Sequence, residues 1–262
     1  MDPQVTDSNQ PDAKAGFEEL LEDVFGLNIR TFRSLKTLLV RPADYFRAAK
    51  TLDWKDQSFT PSPRLWLAII ALTVATRFIW GDPDGAFMQA MQENLERGFK
   101  QGAGEKADKF ASFDWPAIIE RIFNISMFVQ PFIIIAMIML LAVFIRFWGE
   151  RLNYVVRLRY LFAIIIPASA VNFVITLGLV ALAGNAVIWV SLVQVAVIFV
   201  LYTCTALLGP FKGQPRDSAI PKSIVLAIIL FVVVIIANFA AQTIATGLVL
   251  IPLAADAVAA SA

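Results

Sequence analysis

The chain contains no histidine and a single cysteine, Cys204, and each shortage narrows its chemistry. Without imidazole there is no His-based acid–base catalyst and no imidazole metal ligand. One thiol forms no intramolecular disulfide. Enzyme signatures are missing too: no HExxH, no P-loop, no GxSxG and no Cys/His cluster. An intramembrane Ser/Lys or aspartyl hydrolase needs a buried Lys or paired Asp, and the apolar segments hold neither. The chain therefore reads as a non-enzyme, with no cofactor expected. Charge is also scarce. Only 16% of the 262 residues are charged and 58% are hydrophobic, against about 25% and about 45–50% in soluble domains. The net charge of +1 singles out no partner, and no nucleic acid is expected.

Where the charges are missing decides the class. None falls in the 24 residues between Arg121 and Arg146, the 52 between Arg159 and Lys212, or the 33 between Lys222 and Asp256. A helix needs roughly 20 mostly apolar residues to cross a hydrocarbon core about 30 Å thick, rising about 1.5 Å per residue. The expected fold is an all-α polytopic membrane helical bundle, with about five transmembrane helices and amphipathic interfacial helices. The spans are placed at Leu65–Trp80, Ile122–Phe147, Leu161–Ala183, Ala186–Leu208 and Ser223–Leu250. The third and fourth are joined only by Gly184 and Asn185. The first is short and carries Arg77 near its far end, where the side chain snorkels to the headgroups. The apolar run of the fifth exceeds a bilayer thickness, which predicts tilt or projection.

What precedes and interrupts the spans is polar. Residues 1–16 read as a disordered tail without an apolar signal region, so insertion is expected to start at the first internal span. Residues 17–64 read as cytoplasmic amphipathic helices. The first places Phe17, Leu20, Leu21, Val24 and Phe25 at helical spacing opposite four acids. The next changes sign: Ile29, Phe32, Leu35 and Leu39 recur every three or four residues, with Arg30, Arg33 and Lys36 off that stripe. Such a helix lies in the membrane interface with its cations towards anionic headgroups. Pro42 suits the first turn of a further helix, read as Ala43–Lys50. The transmembrane domain is taken as 65–255, with an extracytoplasmic amphipathic insertion at 81–121, in which Phe87, Met91, Leu95 and Phe99 form a ladder. Residues 256–262 are the tail.

Charge also orients the chain. Arg30–Arg64 carries eight basic residues against three acids, and the loops around Arg146–Arg159 and Lys212–Lys222 are basic. Gly81–Arg121 carries five basic and eight acidic residues. The positive-inside rule then places the N-terminus in the cytoplasm and the C-terminus outside it.

Two sets of residues are candidates for function. Asn172, Thr176, Gln194, Asn238, Gln242 and Thr246 are polar positions inside spans, where polar groups are the first place to look for a site. They form either an amide-lined seam for a substrate or simple interhelical hydrogen bonds. Ala237, Ala241 and Ala245 run beside the last three and permit close helix approach. The second set is Arg30, Arg33, Lys36 and Arg41, read as anionic-lipid contacts. Glu120 and Arg121 read as an ion pair at a helix end.

One stretch resembles a known family. Arg41-Pro42 followed by Phe46 before the first span, the Arg-rich loop before the third, and the short third-to-fourth hairpin are similar to the Yip-domain superfamily and related bacterial membrane families. Leu208-Gly209-Pro210 is similar to that family's small-residue and proline turn. The resemblance implies a five-span membrane scaffold with protein partners at its N-terminal region. A bacterial inner membrane is the expected location. The expected function is to organise partners or lipids through the N-terminal helices; the alternative is a channel, transporter or lipid-translocating subunit.

Overall fold

The computed structural model describes residues 29–51, 59–80, 97, 114–145, 152–180 and 186–259. The expectations for 1–16, for the acidic helix after it, for the 81–113 ladder and for the Gly184-Asn185 tip fall outside the described residues. Among these residues seven helices follow in order: α1 (Ile29–Val40), α2 (Pro42–Thr51), α3 (Ser62–Trp80), α4 (Trp115–Phe144), α5 (Tyr154–Val180), α6 (Ala186–Leu208) and α7 (Arg216–Ala259). The described residues are helical apart from short connections.

Among the described residues, three helices are long and apolar enough to cross a membrane: Trp115–Phe144, Tyr154–Ile175 and Arg216–Leu253. Two more apolar stretches, Ser62–Thr76 and Val193–Leu208, are shorter. Local chemistry explains several boundaries. Asp114 caps α4, its Oδ1 accepting from the Ala117 amide at 3.3 Å, with Pro116 following inside the first turn. That moves the helix start seven residues ahead of the expected Ile122. Pro215 opens α7, its carbonyl accepting from the amides of both Ser218 and Ala219. At 44 residues, α7 is about 66 Å long at about 1.5 Å per residue. It therefore extends beyond a hydrocarbon core of about 30 Å.

Packing places α5 at the centre. Every residue from Tyr160 to Ala168 is buried, as expected for a helix apolar all round and surrounded by others. It packs on α3, α4 and α6, while α7 packs on α4 and α6. The helices α5, α4, α7 and α6 thus form a ring of contacts, with α3 outside α5. The space within is filled by apolar side chains, among them Ile138, Leu161, Ile164, Leu226 and Leu230. Towards the other end, Ile122 of α4 packs with Ala245 and Val249 of α7.

One end of the bundle gathers the starts of α3 and α5 and the ends of α4 and α6. Trp66 meets Phe162 at 5.4 Å between ring centroids. Arg157 reaches from the first turn of α5 to the carbonyls of Val143 and Ile145 at the end of α4, at 3.2 and 3.0 Å. Successive helices therefore alternate in direction. The pair α1–α2 is attached at this same end.

Candidate functional site: a helical collar on the end of the bundle

The collar is fixed to the bundle by three sets of contacts. The first is polar. Ser34 of α1 accepts from the Thr60 amide at 2.7 Å, and the Thr31 and Thr60 hydroxyls lie 3.4 Å apart. The second centres on Tyr45 of α2. Its hydroxyl donates to the Thr60 carbonyl at 2.7 Å and lies 3.2 Å from the Ser62 hydroxyl, at the start of α3. Burial pushes the Tyr45 hydroxyl well above its ordinary pKa, against smaller opposing effects of the Ser62 hydrogen bond and the Arg159 charge. The third is aromatic: Phe46 meets Tyr160 of α5 edge-on at 5.0 Å. Leu38, Tyr45, Phe46 and Ala49 are all buried in the main core.

This docking sorts the surface of α1 into arcs. Thr31, Ser34 and Leu38 face the protein. Phe32 and Leu39, the middle and end of the apolar stripe read from the sequence, are exposed, at 59% and 47%. Arg30, Arg33, Lys36 and, beyond the helix, Arg41 are exposed as well. At about 100° per residue, Leu35, Leu39 and Phe32 fall between the docked face and the cations. Helices that lie at a bilayer edge carry such an apolar flank bordered by cations. The structure thus brings together on one collar the four cations that the sequence marks as lipid contacts.

The polar residues of the spans are divided instead. Gln194 of α6 donates to Asn172 of α5. Asn238 of α7 accepts from Gln130 of α4 and donates to the Val234 carbonyl at 2.9 Å. At about 1.5 Å per residue, Asn172 is about 18 Å along α5 from Tyr160, and Gln130 about 22 Å along α4 from Ile145. Both amide pairs therefore lie at similar depth, but on opposite edges of the four-helix ring. Gln242 is exposed and Thr246 half-buried, so the expected single stripe does not close into one interior seam. The Thr176 side chain lies outside the described residues. The alanine ladder is buried completely: Ala237, Ala241 and Ala245 have no exposed surface.

Three contributions were not visible in the chain. Gln130 stands alone beside Pro131 and gains a partner only through the α4–α7 contact. Ser34 and Thr31 look like solvent-facing positions in a basic helix. Arg157 reads as a topology charge, whereas it satisfies carbonyls that the end of α4 leaves without intrahelical partners. The expected Glu120–Arg121 pair does not form, and both side chains are exposed; on α2, Arg47 lies 3.7 Å from Asp44. Adjacent residues on a helix do not face each other. Among the described residues no group of His, Cys, Asp and Glu could hold a metal ion.

The described residues are all-helical, and their long apolar helices mark a membrane protein. No family model, curated protein or solved structure matches the chain.

Proposed function

We propose that the chain is a five-span, non-enzymatic membrane scaffold whose collar, α1–α2, engages anionic lipid and positions the preceding segment for partners. The cytoplasmic side carries the collar in this reading, and a bacterial inner membrane is its setting; the basic charge of Arg30–Arg64 and Lys212–Lys222 supports that orientation. The resemblance to Yip-domain proteins agrees with such a role. The observation that carries the proposal is the fixed collar itself. Its polar face is used up by Thr60 and its aromatic face by Tyr160, leaving the Phe32–Leu39 flank and the cations outward. A transport path is the weaker reading, because the amides pair with one another and apolar side chains fill the ring.

The test is lipid composition around the protein. In nanodiscs mixing phosphatidylglycerol with phosphatidylcholine, the collar enriches phosphatidylglycerol beside the protein. Replacing Arg30, Arg33 and Lys36 with Gln removes about 1 kcal/mol of attraction per residue and with it most of that enrichment. Unchanged enrichment in the triple variant, or ion or solute flux through proteoliposomes that depends on Asn172 and Asn238, contradicts the proposal.

A further inference from the structure

The start of α2 and the turn between α6 and α7 line a half-open cleft of about 420 Å³, apart from the exposed face of α1. Val40, Arg41 and Asp44 form one wall, and Leu208 and Lys212 the other. Its two cations come from distant parts of the sequence, and beside them Phe46 packs closely on Gly209. Among the described residues, neither the Arg41 nor the Lys212 side chain is engaged in a hydrogen bond or ion pair. The one carboxylate in the wall, Asp44, pairs with Arg47. The cleft is thus net positive, and the positive end of the α2 dipole adds to it. Its mouth is apolar: Val40 and Leu208 are 68% and 53% exposed.

Two cations in a cleft rimmed by exposed aliphatic side chains fit a ligand with an anionic head and an apolar body. The volume lies in the range of small-molecule sites and exceeds what one phosphate fills. We propose that this cleft is a discrete site for one anionic phospholipid, with its phosphodiester between Arg41 and Lys212 and its chains leaving along Val40 and Leu208. The inference rests on the collar lying at the membrane interface, and adds a stoichiometric site to the diffuse attraction of α1. Inorganic phosphate shares the headgroup chemistry; the apolar rim assigns the site to lipid.

The experiment uses the full chain, purified in detergent and titrated with phosphatidylglycerol or phosphatidylcholine, with bound lipid counted by native mass spectrometry. One phosphatidylglycerol per chain is retained in preference to phosphatidylcholine. R41Q/K212Q lowers that retention about tenfold or more, given about 1 kcal/mol per cation. The charge-preserving R41K/K212R keeps it, and R30Q/R33Q, which weakens only the diffuse attraction, lowers it far less than R41Q/K212Q. If R30Q/R33Q lowers retention as much as R41Q/K212Q, the discrete site is wrong while the collar reading stands. If neither Gln variant alters retention, both fail. Loss of the lipid in R41K/K212R means that charge does not hold it, and overturns the site. Displacement of phosphatidylglycerol by millimolar inorganic phosphate overturns the assignment to lipid.

Discussion

Phe46 lies so close over Gly209 that a methyl group at position 209 would sit 2.5 Å from its ring and 2.7 Å from the Thr205 carbonyl. The two residues come from segments more than 160 residues apart in the chain. Their meeting explains why a small residue is needed there: space, not backbone conformation, is the constraint. G209A should therefore destabilise the chain by about 1–3 kcal/mol, the range for overpacking a filled site. Thermal unfolding in detergent measures it. F46L combined with G209A should recover part of the loss, because a smaller side chain makes room for the methyl. Equal melting of G209A and the parent would show that α2 is not held here.

Tyr45 offers a prediction in pH. Its ionisation is suppressed by burial in the folded chain, whereas the unfolded chain ionises near its ordinary value of about 10. Above that pH the folded state binds more protons than the unfolded one, so stability falls as pH rises. Below about 10 both states are protonated and the contribution is constant. Tyr45→Phe should cost about 1 kcal/mol at neutral pH through the lost hydrogen bonds to Thr60 and Ser62. The variant should also lose less stability than the parent between neutral pH and pH values above about 10. Parallel curves for the two proteins would show that Tyr45 ionises freely and is not buried.

How much of this was legible beforehand depends on the range of each interaction. The helix α6 matches its expected boundaries, Ala186–Leu208, because an apolar run bounded by turn residues is a local signal. The stripe through Phe32 and Leu39 is local too. Which side of α1 docks is not: Ser34 and Thr31 face inward because Thr60, 26 and 29 residues away, supplies their partners. In the same way, periodicity groups Asn238 with Gln242 on α7, yet Asn238 hydrogen-bonds α4 whereas Gln242 is exposed. The fit of Phe46 over Gly209 depends on two segments far apart in the chain, and no spacing rule reveals it.

The amide pairs test packing against transport. Gln130→Leu alone leaves Asn238 without its cross-helix partner, and Asn238→Leu does the converse for Gln130. Each should lower stability by about 0.6–2 kcal/mol, and the double variant should cost less than the sum of the two. A double-mutant cycle of thermal unfolding reads this coupling. Strict additivity would mean that the amides do not act as a pair.

Arg157 makes a prediction about local order. Its guanidinium accounts for hydrogen bonds to two carbonyls at the end of α4. Arg157→Met should let the last turn of α4 fray, raising amide exchange at residues 141–145 while leaving the exchange around Gln130 unchanged. Exchange unaltered across the whole helix would show that the cap is not formed.

Where the flank of α1 lies decides whether the collar faces lipid or water. On a Cys204→Ser background, single cysteines at Phe32, Leu39, Arg30, Arg33, Ser34 and Leu38 can be labelled with a fluorophore in phosphatidylglycerol-containing liposomes. Quenching by brominated lipid is compared with quenching by an aqueous ion. Labels at 32 and 39 should be quenched by lipid, those at 30 and 33 by the aqueous ion, and those at 34 and 38 by neither. Aqueous quenching at 32 and 39 equal to that at 30 and 33 would place the collar away from the bilayer and contradict the account.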